Sequence, residues 1–399
     1  MLWLVGTGIS GIESIPINGT EAISCADIIY LEQFTSPAPP MKVGEAGIVE
    51  AVRRIAGGGC KIREAERCVV EDGTEILQNA RSQNVVLLSY GDPLVATTHT
   101  ELRCRAAASG IRTRVIHASS APAAAIGECG LHHYKMGRMA TIMRDPRSMT
   151  TPYYTVYKNA TERCHTLLLL EYDHEGTEEG DGRRFVLEPT DALRGLLKTE
   201  EGQRRGVILD NTYAVVASRI GLADQHITAG RISSLVAREE KGFGEPPHSI
   251  IIPGSLHFTE SDALDALAEC IDPPPRDGGD GETKNGRNPN VPARIPEQMV
   301  TKYAPMIRRS ISDVLPHCTG SEAMERILEN ARLYVDDAED FVKKEGHGDV
   351  AVLSIGYADG LADALRLLKG LDAVDVVGGG ATDTRHDGSG KAGPKLQTP

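Results

Sequence analysis

The sequence predicts an α/β chain of two successive units followed by an all-helical bundle. Short β-rich runs alternate with helical stretches through residues 1–120, a more mixed set of strands and helices occupies residues 121–271, and three apolar helical stripes fall within residues 297–370. At 399 residues the chain exceeds the ~100–200 residues of one domain, so more than one core is expected.

In the first unit Leu2–Val5, Asp27–Leu31, Val85–Ser89 and Thr113–His117 read as strands, with helices over Gly47–Ala56, Thr74–Arg81 and Thr98–Ala108. Parallel strands need crossovers, so this βαβ rhythm packs helices over both faces of a parallel sheet. In the second unit Leu131–Met143, Thr166–Leu170, Gly206–Leu209, Tyr213–Ser218 and Ser249–Ile252 read as strands. Helices are expected around Tyr154–Glu162, Thr190–Leu197, Ile232–Arg238 and Glu260–Cys270.

Residues 272–296, DPPPRDGGDGETKNGRNPNVPARIP, hold too little apolar surface to offset their ordering entropy, and a disordered linker is expected there. Beyond it, Tyr303, Ile307, Ile311 and Val314 open a three- and four-residue rhythm. Met324, Ile327, Leu328, Ala331, Tyr334, Val335, Ala338, Phe341 and Val342 continue it, then Ile355, Ala358, Leu361, Ala362, Leu365 and Leu368. Three amphipathic helices follow from that spacing. The tail 371–399 is Gly-rich and expected to be disordered.

Composition removes several function classes. A net charge of −13 and 4% aromatic residues argue against nucleic-acid binding, which needs clustered Lys and Arg or stacking platforms. The eight cysteines show no C-x-x-C spacing, so no metal site is expected, and free thiols suit a reducing cytoplasm. No run of ~18 apolar residues offers a membrane span.

LVGTGISG, residues 4–11, is a literal G-x-G-x-x-G, and Glu32 stands where a ribose-binding carboxylate would. Pro16 and Asn18-Gly19 interrupt the helix that such a site requires, which the sequence places only from about Thr20. The loop is then either a tight turn or a ligand-contacting turn, with Gly11 completing the match by coincidence. A second turn, Gly91-Asp92-Pro93, follows the buried strand ending at Tyr90 and leads to Thr97 or Thr98 as helix cap, with Glu101 placed for a capping box. Ligands of open α/β sheets sit beyond such carboxyl ends.

Three strings carry a resemblance: YGDPLVATTHTELRCRA from Tyr90, VIHASSAPAAAIGECGLHHYKMG at 115–137 and GEPPHSIIIPGSLHFTESD at 244–262. Over Met1 to about Cys270 the chain resembles the diphthine synthase branch of the tetrapyrrole-methylase superfamily. The resemblance implies two α/β domains, an S-adenosylmethionine cleft between them, and a homodimer. Carried over position by position, it implies Ile9, Asp92, Val95, Ser120, Ala121, Leu170, Ser218 and His248 as the residues lining the methyl-donor site. It implies methylation of the amino group of a 3-amino-3-carboxypropyl-histidine in translation elongation factor 2, three times in the archaeal type, giving diphthine. The string ARLYVDDAEDFVKKEGHGDVAVLSIGYADGLADALRLL resembles a small helical domain of uncharacterised function found in archaeal proteins, which favours that type.

No nucleophile is required for such a transfer, and no catalytic residue is assigned. His99, His117 and His165 are read first as structural histidines rather than proton acceptors. Two other readings remain: a methylase of porphyrin or corrin precursors on the same fold, and an idle binding scaffold.

Overall fold

The computed structural model describes residues 1–35, 48–173, 185–238, 242–276, 295–344 and 347–371. Most of the expected linker and nearly all of the expected tail lie outside the described residues, as does Gly47. The chain divides into two compact units, Met1–Pro292 and Ala293–Pro399.

The first unit opens with β1 (Leu2–Gly6), α1 (Ile17–Ser24), β2 (Ile28–Glu32), α2 (Ile48–Ala56), β3 (Lys61–Ala65), α3 (Arg67–Asp72), α4 (Thr74–Ala80), β4 (Val85–Ser89), α5 (His99–Ala108) and β5 (Thr113–Ile116). All five strands are parallel, in the order β3-β2-β4-β1-β5. Val5 lies level with Leu88 on one side and Ile116 on the other, which brings the ends of β1, β4 and β5 to a common edge. Both faces are covered by apolar clusters, as a parallel sheet requires.

A second sheet follows, built from α6 (Ala121–Glu128), β6 (Ala140–Ile142), α7 (Thr150–Thr161), β7 (Thr166–Leu170), β8 (Tyr172–Asp173), β9 (Phe185–Val186), α8 (Pro189–Gln203), β10 (Tyr213–Ser218), β11 (His226–Arg231), α9 (Ile232–Val236), β12 (His248–Ile252), α10 (Phe258–Leu267) and β13 (Glu269–Cys270). Its order is β13-β11-β10-β12-β7-β6, antiparallel at its centre and parallel at both edges. β8 and β9 form a separate antiparallel pair.

Several expectations need correction. α1 begins at Ile17, directly after Pro16, whose missing donor costs nothing ahead of a helix. Gly19 then sits buried against Ile15 and Val5, where a side chain would clash. β3 escaped the sequence reading because KIREA is an edge strand with mostly exposed charges, a common way of blunting an edge. Leu131–Met143 keeps only β6 as a strand. Gly206–Leu209 is a turn, since the Glu200 carboxylate accepts the N–H groups of Gly206, Val207 and Ile208 at 2.7, 2.9 and 3.0 Å in place of a neighbouring strand. The last helix of this unit stops at Leu267, because Ala268 turns extended and Glu269 and Cys270 pair with Thr228 and Ala229 of β11.

The second unit consists of α11 (Ile295–Cys318), α12 (Glu322–Phe341) and α13 (Gly348–Leu368). Ile307, Ile311, Val314, Leu328, Ala331, Val335, Ala338, Ile355, Ala358, Ala362 and Leu365 are buried together, the seam that the three-four rhythm marks. Tyr334 and Leu368, assigned to the same faces, are exposed.

Candidate active site

The loops after β1 and β4 are fastened to each other. Gly8 N–H donates to the Gly91 carbonyl at 3.1 Å, and Gly91 N–H donates to the Gly8 carbonyl at 3.0 Å. A β-carbon on Gly6 would lie 2.4 Å from the Gly91 oxygen, so only glycine allows the approach. Gly8, Gly11 and Gly91 have φ of +73°, +79° and +76°. Gly11 thus serves the turn itself, and nothing in its geometry makes its match to the dinucleotide pattern more than a coincidence. Only a short 3₁₀ turn, Gly11–Ser14, starts there, and α1 begins at Ile17, so no α-helix starts at the third glycine, unlike the dinucleotide pattern.

Ile9 is held from two sides. The buried Tyr90 hydroxyl, its pKa pushed up to about 12 by burial, donates to the Ile9 carbonyl at 2.7 Å. The Ile9 N–H donates to Ser119 Oγ at 3.3 Å. Asp92 braces the same edge: Oδ1 accepts Leu94 N–H at 2.9 Å, while Oδ2 accepts His117 Nδ1–H at 2.9 Å and Ala118 N–H at 3.1 Å. Its carboxylate thus ties the β4 loop to the end of β5. Thr98 occupies the N-cap of α5 with φ −93° and ψ 1° and makes no side-chain capping bond, so the expected capping box does not form. Thr97 Oγ1 instead donates to the Pro93 carbonyl at 2.7 Å.

These loops face β6, β7 and β12 across a cavity of about 520 Å³, within the size range of small-molecule sites. Seven of the eight expected residues line it: Ile9, Asp92, Val95, Ser120, Ala121, Leu170 and His248. Ser218 does not line it; it lies on β10 level with His248, fully buried. Burial lowers the pKa of His248, leaving a neutral ring whose Nε2–H donates to the Gly244 carbonyl at 3.2 Å. Sequence reasoning missed Phe34, Arg67, Thr141, Met143, Tyr172 and Val186, which also line the cavity. Arg67, its guanidinium 4.9 Å over the Phe34 ring, comes from α3, a helix too short to show periodicity.

The three histidines weighed as proton acceptors each have hydrogen-bond partners of their own. His99 is buried with Nδ1–H donating to Pro93 at 2.9 Å, and burial lowers its pKa. His117 is bound to Asp92. His165 Nδ1 accepts Gly254 N–H at 3.0 Å while Nε2–H donates to Glu260 at 2.9 Å. Glu260, fully buried, also accepts from Lys135 and from the N–H groups of His132 and His257. Burial alone would raise its pKa; the bonds from His165 and Lys135, then those from the two backbone N–H groups, hold it below the usual carboxylate range. Among the described residues no cluster of His, Cys, Asp and Glu is arranged to hold a metal.

Residues 1–236 match the family model for tetrapyrrole (corrin/porphyrin) methylases, and residues 302–371 match a family described as a protein of unknown function (DUF357). The diphthine synthase of Methanothermobacter thermautotrophicus is 37% identical over 270 residues, covering 67% of this chain and 96% of that relative. The chain belongs to the diphthine synthases. The diphthine synthase of Methanocaldococcus jannaschii is 33% identical over 68% of this chain and 100% of its own. Among solved structures, one diphthine synthase shares 29% identity and a TM-score of 0.55 over 67% of this chain and 96% of its own. A putative diphthine synthase from Entamoeba histolytica shares 28% identity and a TM-score of 0.57 over 68% and 99%.

Membership makes the chain an S-adenosylmethionine-dependent methyltransferase on the tetrapyrrole-methylase fold. The residues present suit that donor. Ile9, Val95, Ala121 and Leu170 offer an apolar wall, the two zipped loops bring backbone close to it, and the glycines leave no side chain in the way.

Proposed function

We propose that this enzyme methylates the amino group of the 3-amino-3-carboxypropyl-histidine of translation elongation factor 2, adding three methyl groups to give diphthine. Ile9, Asp92, Val95, Ser120, Ala121, Leu170 and His248 form its donor site, with Ser218 backing it, and it works in the cytoplasm as a homodimer. The observation that carries the reading is the single cavity edge at which Ile9, Asp92, Val95, Ser120 and Ala121 meet Leu170 and His248 of the second sheet. Among the described residues no helix is long and apolar enough to cross a membrane.

S-adenosylmethionine, when bound, supplies a methyl group on a positively charged sulfur. The chain's part is to position and to exclude water. Tyr90 and Ser119 fix Ile9 as one wall, and Asp92 keeps the β4 loop from moving away from β5. Val95 and Leu170 add apolar lining to the cavity, and holding an unprotonated amine beside the donor there would be worth ~7–11 kcal/mol of barrier. The experiment offers methyl-labelled donor with elongation factor 2 bearing the precursor side chain, and in parallel with a porphyrin precursor. Mass spectrometry is expected to show up to three methyl increments on the factor and none on the porphyrin. An unlabelled factor sinks the proposal, and calorimetry showing no donor binding would point to the idle scaffold.

A further inference from the structure

Helix α13 carries two stripes. Ala351, Ser354, Ile355, Ala358, Ala362 and Leu365 are buried in the bundle. Val350, Leu353, Tyr357, Gly360, Ala364 and Leu367 are all exposed, and they recur at alternating three- and four-residue steps. Leu353, Tyr357 and Leu367 are 68%, 58% and 64% exposed, far more apolar surface than a helix with a satisfied inner face needs. The alternation is that of a coiled-coil seam. Tyr334 of α12 packs on Tyr357 with ring centroids 5.2 Å apart and widens the patch.

The stripe complements itself when laid against its own reverse. An antiparallel copy centred between Tyr357 and Gly360 sets Tyr357 over Gly360 of the partner subunit. It also sets Leu353 over Ala364 of the partner subunit and Val350 over Leu367 of the partner subunit. In the two central layers a large side chain meets a small one. Glycine is unfavourable inside a helix, and a β-carbon at Gly360 would meet nothing within 4 Å in its own chain. A space for the Tyr357 ring of the second copy explains why no side chain fills it. The charges agree, since Asp349 opens the helix and Lys369 follows its end, so each end of the antiparallel pair joins opposite signs.

We propose that α13 pairs antiparallel with α13 of a second copy of this chain. The stripe is ~26 Å long, short for a stable interface, so the pairing is weak and depends on concentration. It does not depend on the substrate assigned above.

Zero-length carbodiimide coupling of the full chain at high concentration, read by peptide mass spectrometry, tests it. The expected product joins Lys369 to Asp349. Within one helix these residues stand ~30 Å apart, so the bond forms only between copies. G360Y, which fills the gap, and L353E, which charges the seam, are expected to reduce this product at least tenfold. Both positions are exposed, so the bundle's unfolding midpoint should stay within a few degrees. Absence of the product in the parent chain, an undiminished product in G360Y, or links from Lys369 to residues 1–292 in its place overturns the pairing. Association through residues 1–292 is common to parent and variants and leaves the comparison intact.

Discussion

The two units solve opposite problems. Residues 1–292 bury charged and polar groups, among them Glu32, Asp92, His99, His165, Glu200, His248 and Glu260, and most of these are tied by named partners at turns and loop ends. In the bundle, the buried polar residues among those described are Ser310 and Ser354. One unit holds irregular loops in place with specific hydrogen bonds; the other is held by repetition of apolar positions. A cavity requires the first kind of construction, because loop backbone at its rim has no neighbouring strand or helix turn to satisfy it.

Glu260→Ala should break this comparison most sharply. It leaves the buried His165 and two backbone N–H groups without their acceptor and deprives the partly exposed Lys135 of its charge partner, and ~3–5 kcal/mol of stability should vanish. Urea denaturation reads this directly, and a loss below 1 kcal/mol would contradict the role given to the network. In the bundle the matching change is Leu328→Ala, a buried side chain with no polar partner. It should cost ~2–5 kcal/mol in the transition of the helical unit, with methyl-donor affinity changed less than twofold. A donor affinity that falls with it would show that the two units are coupled.

How much of each unit was legible follows from the same difference. Repetition is visible in sequence: Ile307, Ile311, Val314, Leu328, Ala331 and Ala358 declare the bundle seam by spacing alone. Strands buried on both faces are also plain, and β7 and β10 fall where the apolar runs Thr166–Leu170 and Tyr213–Ser218 stand. Loops fixed by side-chain partners are not. Nothing local in Gly206–Leu209 tells that Glu200 will take its N–H groups, and β11 has Gly230 and two exposed polar ends that mask its four buried positions. The site residues were carried over from the family resemblance rather than read from spacing, and Arg67 and Phe34, at which neither the resemblance nor any spacing pointed, were missed.

Gly6→Ala tests the rim itself. Its β-carbon, 2.4 Å from the Gly91 oxygen and 2.9 Å from Ala118 Cβ, must push the two loops apart. Donor affinity measured by calorimetry should fall about tenfold or more, ~1.4 kcal/mol, and unchanged affinity would detach these loops from the donor site. Acid should act on the same unit. His99 and His248 have folded pKa values lowered by burial from the ordinary 6.5, so the unfolded chain binds more protons below that pH. Stability of residues 1–292 should therefore decline as pH drops under about 6.5. Glu260, whose folded pKa is also lowered, adds a loss that begins only below its unfolded value of 4.5. The bundle, which among its described residues buries no histidine or glutamate of this kind, should hold its midpoint through the upper of these two windows, and thermal melts at stepped pH separate the two behaviours.

The smallest effect sharpens the comparison from the other side. Arg308 joins α11 to α12 through Asp336 at 2.8 Å and Glu339 at 2.9 Å, the most connected ion pair of the bundle among those described. All three side chains are substantially exposed, so water and salt screen the attraction and ordering the long side chain offsets part of it. Arg308→Ala should then cost ~0.5 kcal/mol or less, and the difference should fade in 1 M salt. A loss approaching that of Glu260→Ala would mean that the bundle, too, depends on specific polar ties. The contrast between the two units would then lie in where the ties sit, at the surface or in the core.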